Sequence, residues 1–132
     1  MFKVLDIAGS AMNAQMVRLN TTASNMANAN TVASSEAEAY RARQPVFASL
    51  LQEAGSVGGV EVKGIAESDA VIEKRYEPGN PMADKDGYVF LSNVDGVEEM
   101  ANMISASRSF QNNAEVFSTS KTLMLRTLQL GR

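Results

Sequence analysis

Residues 97–130, VEEMANMISASRSFQNNAEVFSTSKTLMLRTLQL, contain neither glycine nor proline. Within them Met100, Met103, Ser107, Phe110, Ala114, Phe117, Lys121, Met124 and Leu128 recur at alternating three- and four-residue steps, and seven of the nine are apolar. That spacing marks one face of an α-helix. At ~1.5 Å per residue such a helix is about 50 Å long, whereas a compact domain of this chain's length has a radius of gyration of roughly 14 Å. The helix therefore outruns its own fold, and its stripe needs other helices, from this chain and from others, to bury it.

The other end of the chain supplies a first partner. Met1, Leu5, Ala8, Met12, Gln15, Leu19, Thr22 and Met26 keep the same alternating step, and six of the eight are apolar. Gly9 is the only glycine before Gly55, and the first proline is Pro45; Gly9 weakens the first turns by about 1 kcal/mol relative to alanine. Small residues and methionine dominate both ends, with seven of the eight Met there. Such residues permit close helix approach and fill irregular gaps. Two arrangements bury stripes of this kind: an ordinary antiparallel helical hairpin inside one globule, or surfaces completed by assembly. In the second, the tails of a free monomer are largely disordered, because their stripes lack partners.

The expected fold is mainly α. Long N- and C-terminal helices pair as an antiparallel coiled-coil-like unit, with a small antiparallel β element and loops between them. The expected divisions are an N-terminal helix over 1–33, a linker or loop over 34–59, a β element over 60–93 and a C-terminal helix over 94–132. Residues 33–44 are polar and either extend the first helix by a turn or two or form a loop. Pro45-Val46-Phe47 suggests an extended stretch, and Gly55-Ser56-Val57-Gly58-Gly59 a flexible one. Val60–Ile65, Val71–Tyr76 and Gly87–Leu91 are the strand candidates.

Composition removes several function classes. The chain has no cysteine and no histidine, which excludes thiolate and imidazole metal sites, Ser-His-Asp triads, Cys-His dyads and disulfides. No catalytic, cofactor-binding or metal residue is expected, and no cofactor. No apolar run approaches the roughly 20 residues needed to span a bilayer, and MFKVLDIAGSAMNAQ lacks the apolar core of a cleavable signal peptide. The net charge of −3 conceals a segregation. Residues 53–99 carry eleven acids against Lys63, Lys74, Arg75 and Lys85, while residues 100–132 carry Arg108, Lys121, Arg126 and Arg132 against Glu115. No cluster of basic residues suggests a nucleic acid; the acidic centre is ordinary for a solvated face.

Asp84-Lys85-Asp86-Gly87 begins like a calcium loop, but Tyr88, Val89 and Asp95 then fall where a ligand, a glycine and a glutamate belong. Asp86-Gly87 is a turn leading into the Tyr88 strand. Glu77-Pro78-Gly79-Asn80-Pro81 is a rigid elbow, since Pro78 and Pro81 fix φ and Gly79 tolerates positive φ. Asn20-Thr21-Thr22 fits a glycosylation sequon but falls within a helix. Asp84, Asp86, Glu98 and Glu99 offer carboxylates for hydrolysis, yet they lie on a turn and at a helix start, where acids are favoured anyway.

Leu19-Asn20-Thr21-Thr22-Ala23-Ser24-Asn25-Met26-Ala27-Asn28-Ala29-Asn30-Thr31 is more specific. Three asparagines in six residues extend a free helix poorly. They fit either as register-setting amides in a bundle or as a helix C-terminus capped by Asn28 or Asn30.

This stretch resembles the N-terminal signature of the bacterial flagellar rod, hook and hook-associated axial proteins. Tyr40-Arg41 before Pro45-Val46-Phe47, the run Tyr76–Val89 with PGNPMADKDGYV, Asn93–Met100 and Ala106–Ala114 extend the likeness along nearly the whole chain. Together they identify it as similar to the flagellar basal-body rod protein family, nearest the proximal rod member. Phe110, where the family often has Tyr, and Ser34–Glu38 are local departures.

The resemblance implies a non-enzymatic subunit of the basal-body rod in the cell envelope and periplasmic space. It implies export by the flagellar type III apparatus without a cleavable signal peptide, helical assembly through the terminal helices and transmission of motor torque to hook and filament. The implied partners are copies of itself, proximal and distal rod subunits, the rod-base adaptor, the MS ring and, in transit, the export apparatus, with no nucleic acid and no small-molecule substrate. On this basis Leu19, Asn25, Ala27, Asn28, Asn30 and Thr31 are expected as register contacts between subunits. Met12, Met100, Ile104, Phe110, Phe117, Met124 and Leu128 are expected as the apolar seam, and Pro78, Gly79, Pro81, Asp86 and Gly87 as the outward elbow. Alternatives are another flagellar axial component or a soluble coiled-coil adaptor of the export apparatus.

Overall fold

The structure, a computed structural model, describes residues 2–51 and 57–132. Two long helices stand at the ends of the chain: α1 over Phe2–Ala27 and α2 over Gly96–Leu130. Between them come five strands: β1 Val32–Ala33, β2 Arg43–Leu51, β3 Val57–Glu67, β4 Lys74–Tyr76 and β5 Tyr88–Leu91.

Each helix starts or stops for a local reason. Asp95 caps α2, its carboxylate accepting from the N–H groups of Val97 (3.0 Å) and Glu98 (3.4 Å), and Glu98 and Glu99 follow in the first turn, where acids meet the positive end of the helix dipole. At the far end of α2 the Gly131 N–H donates to the Thr127 carbonyl. α1 stops at Ala27, short of the expected boundary at 33, because Asn28 turns back on it. The backbone N–H of Asn28 (3.1 Å) and its Nδ2 (2.8 Å) both donate to the Ser24 carbonyl, and Ala29 and Thr31 continue in turn geometry. Asparagine competes for backbone groups in this way wherever helix propensity is weak.

The two helices pack against each other, in opposite directions. Arg18 Nη2 donates to Asn102 Oδ1 at 3.3 Å. Asn93, just before α2, accepts from the Ala42 N–H, and the adjacent Arg43 is held by Asn25 near the end of α1. The start of α2 thus lies beside the end of α1. The most buried helix positions include Ala8, Ala14 and Ala106, residues small enough for close approach.

β2 and β3 form a two-stranded antiparallel hairpin, from Arg43 opposite Glu67 to Leu51 opposite Val57, with irregularities at Val46/Phe47 and Leu50/Leu51. It lies along α1, held by Asn25 at its open end. Fifty residues apart in sequence, the Val60 N–H and Ser10 Oγ meet at 3.1 Å near the other end. Gly59 adopts φ +149, and a Cβ there would stand 2.5 Å from Ser10 Oγ; only glycine lets the strand come this close.

A second sheet has the order β1-β5-β4, antiparallel throughout. Val89 on β5 is fully buried, and Ala33, Ala39 and Ile72 form a small core with Phe90 packed against it.

The expected middle region is corrected in three places. The stretch 34–59 is not all linker, for β2 fills Arg43–Leu51 and β3 begins at Val57; Pro45 is tolerated because a two-stranded hairpin has only edge strands. The three strand candidates do not make one element: Val60–Ile65 falls in β3, while the other two lie in the second sheet, the Val71–Tyr76 candidate shortened to β4. Gly58 and Gly59 are buried strand residues, not a flexible tract, while Gly55 and Ser56 lie outside the described residues, as do Met1 and residues 52–54.

Candidate assembly interface

A polar junction fastens the end of α1 to the middle of the chain. Asn25 is completely buried and its amide makes three hydrogen bonds. Oδ1 accepts from the Tyr40 hydroxyl and the Arg43 N–H, both at 2.9 Å, and Nδ2 donates to the Arg43 carbonyl at 2.7 Å. One side chain thus satisfies both backbone groups of Arg43, as a neighbouring strand would. Asn93 does the same work from the other side. Oδ1 accepts from the Ala42 N–H at 2.6 Å, and Nδ2 donates to the carbonyls of Ser68 (3.2 Å) and Ala70 (3.0 Å). Arg41 Nη1 reaches the same two carbonyls, and the Arg43 guanidinium lies 5.5 Å from the centre of the Tyr40 ring.

Within the chain the residues expected as register contacts take different parts. Asn25 is completely buried, and the three hydrogen bonds of its amide are all to groups of its own chain. Asn28 caps α1, and Thr31 Oγ1 donates to the Asn28 carbonyl. Ala27, Asn30 and Thr31 are exposed and Leu19 is half-buried. Tyr40 and Asn93 have the structural weight that spacing alone does not reveal; their trace in the sequence is that each falls in a block carrying the family resemblance.

The expected apolar seam divides into two sets. Met12, Phe110, Phe117 and Met124 are half-buried within the chain. Shielded positions on α2 run Glu99, Met103, Ala106, Phe110, Asn113, Phe117, Ser120 and Met124, at alternating four- and three-residue steps. Met100 (55 % exposed) and Ile104 (57 %) face away from that line, while Leu128 (69 %), four residues past Met124, continues it where it is no longer covered. Val97, Val116, Leu123, Leu125 and Leu130 are also exposed, so α2 carries large apolar side chains that the chain leaves uncovered on several sides.

The elbow is a compact loop between β4 and β5. Asp84 organises it, Oδ1 accepting from the N–H groups of Asp86 and Tyr88. Gly87 adopts φ +83, and a Cβ there would lie 2.9 Å from the Tyr76 ring and 3.2 Å from Pro78 Cβ. Pro78, Gly79, Pro81 and Asp86 are exposed, Gly87 buried. A hydrogen bond from Asn80 holds the Glu77 carboxyl below its usual range; slight burial acts the other way, and Arg75 at 2.7 Å reinforces the lowering. Because the folded value is depressed, this contribution is present above the ordinary carboxylate range and fades as pH falls through the folded value.

The Asp84 carboxylate is held in turn geometry, Asp86 sits in that turn and Glu98 at the helix start, and no metal-holding group of carboxylates exists among the described residues. No helix among them is long and apolar enough to cross a membrane.

Comparison with known proteins follows the same layout. Residues 5–32, covering most of α1 and the turn after it, match a family model described as flagella basal body rod protein. Residues 85–130, covering β5 and α2, match one described as flagellar basal body rod FlgEFG protein C-terminal. Relatives named flagellar basal-body rod protein FlgC align end to end. Those from Escherichia coli O6:H1 and Salmonella typhimurium are each 50 % identical over 132 residues, covering 100 % of this chain and 98 % of the relative. One from Buchnera aphidicola subsp. Schizaphis graminum is 39 % identical over 133 residues, covering 99 % of this chain and 98 % of its own.

Proposed function

The chain belongs to the flagellar basal-body rod protein family FlgC and is a structural subunit of the basal-body rod; on that premise we propose that it is a non-enzymatic strut carrying motor torque through interdigitated terminal helices. The supporting observation is the set of large apolar side chains that α2 leaves uncovered, with Met100, Ile104 and Leu128 each more than half exposed. An isolated soluble protein gains nothing from leaving them exposed. Packed coiled-coil-like against α1 and α2 of adjacent rod subunits, they place many contacts under load at once. Each contact is weak, and they act in parallel.

In this reading the proximal and distal rod proteins, the rod-base adaptor, the MS ring and other copies of the chain cover that surface. The polypeptide reaches the periplasmic space through the flagellar type III apparatus. The Asn25 and Asn93 junction keeps the second sheet and the elbow fixed relative to the helices, and the elbow faces outward. Leu19, Ala27, Asn28, Asn30 and Thr31 keep the role of register contacts through the groups they leave exposed. A soluble export adaptor would hide its apolar face in a closed dimer rather than offer it along a shaft.

Leu128→Asp tests the strut directly, because Leu128 is exposed and its loss leaves the single chain's packing intact. We expect the variant to be synthesised and exported at normal levels while rod completion and swimming are lost. Normal swimming would overturn the assignment of this surface.

A further inference from the structure

Where α1, the start of α2 and the open end of the hairpin meet, a notch of about 130 Å³ is lined by Arg18, Arg43, Gln44, Glu98, Glu99 and Asn102, among others. Glu99 is only 3 % exposed. No hydrogen bond or ion pair reaches its carboxylate among the described residues. Its oxygens are not sealed from solvent, so a partner can reach the carboxylate through the notch. The arginines beside it are committed elsewhere: Arg18 to Asn102, and Arg43 to Glu67 and the Tyr40 ring. The notch is too small for a sizeable ligand and has room for one side-chain head group.

The far end of α2 has the opposite surplus. With Arg18 beside Asn102 in antiparallel helices, Phe2 falls opposite Ser118, so about 12 residues, or roughly 18 Å, of α2 project beyond α1. Lys121 and Arg126 stand on this projection, exposed and without an ion pair among the described residues. The exposed Leu123, Leu125, Leu128 and Leu130 lie among them.

We propose that the notch is a socket for a second copy of this chain. The Arg126 guanidinium of the projecting end enters past Glu98 and forms a bidentate, desolvated pair with Glu99, fixing the stagger between copies. Arginine suits this better than lysine because its planar fork matches a carboxylate. The inference rests on the reading that copies meet through their terminal helices, and it names where one end lands.

The chain has no cysteine, so paired substitutions report without background. In isolated, oxidised basal bodies from cells producing the Glu98→Cys, Arg126→Cys variant, we expect disulfide-linked dimers that neither single substitution gives. Glu99→Gln should leave the melting temperature of the free chain unchanged or raise it, while lowering incorporation into basal bodies by about tenfold or more. Glu99→Lys should block incorporation, and adding Arg126→Glu should restore it. Normal rods with no Glu98–Arg126 cross-link would overturn the socket and leave the assembly reading standing. So would Glu99→Gln lowering stability and incorporation together, the mark of a purely internal role. If an Ile104→Cys, Leu128→Cys pair also gave no link between copies, contact through the helices would fail and the socket with it.

Discussion

Asn25 shows how one residue's chemistry fixes tertiary geometry. Its amide holds three hydrogen bonds in a site closed to water, to the Tyr40 hydroxyl and to both backbone groups of Arg43. Asn25→Ala leaves those groups without partners, and each unsatisfied buried group costs about 1–3 kcal/mol. We expect a loss of about 3 kcal/mol or more in denaturant unfolding, against under 0.5 kcal/mol for Asn30→Ala, whose side chain is exposed. Equal losses at the two positions would contradict the assignment of Asn25 to the junction. The sequence shows three asparagines that extend a helix poorly; it does not show that they divide into a clamp, a cap and a solvated residue. That division depends on where residues 40–43 come to lie, which no local pattern encodes.

The helices were legible as elements because their apolar step persists over many turns. Asp95 before Val97 and the acids after it are a start signal that works through known groups, the N–H donors of Val97 and Glu98. Asp95→Ala should cost about 1 kcal/mol in thermal or chemical unfolding, with Asp95→Ser or Asp95→Asn recovering most of it; no loss would mean that the cap carries no energy. The hairpin was less legible. β2 carries Pro45 and two irregularities in register, so its side chains do not alternate cleanly. β3 shows alternation only over Val60–Ile65, while Gly58 and Gly59, which suggest mobility when read alone, serve close packing on Ser10. On α2 the period was correct, but the position of its line was partly displaced. Glu99 and Ala106 rather than Met100 and Ser107 are the buried residues. A helix with apolar residues on more than one face does not announce which of them is internal.

For the whole molecule the outcome is a division of labour. α1 is covered on two flanks, by α2 and by the hairpin. Among the described residues α2 packs along its length on α1 and runs past it, with only its start beside the hairpin. The projecting segment, about 12 residues, is no longer than the ~12–15 residues below which isolated helices are marginal in water, and its leucines are bare. The one resource it lacks is a neighbour. Hydrogen exchange at the amides of residues 119–130, compared between the dilute free chain and intact basal bodies, tests this most directly. The account predicts rapid exchange in the free chain and strong protection in the rod. Equal protection of those amides in the dilute, monomeric chain would contradict it.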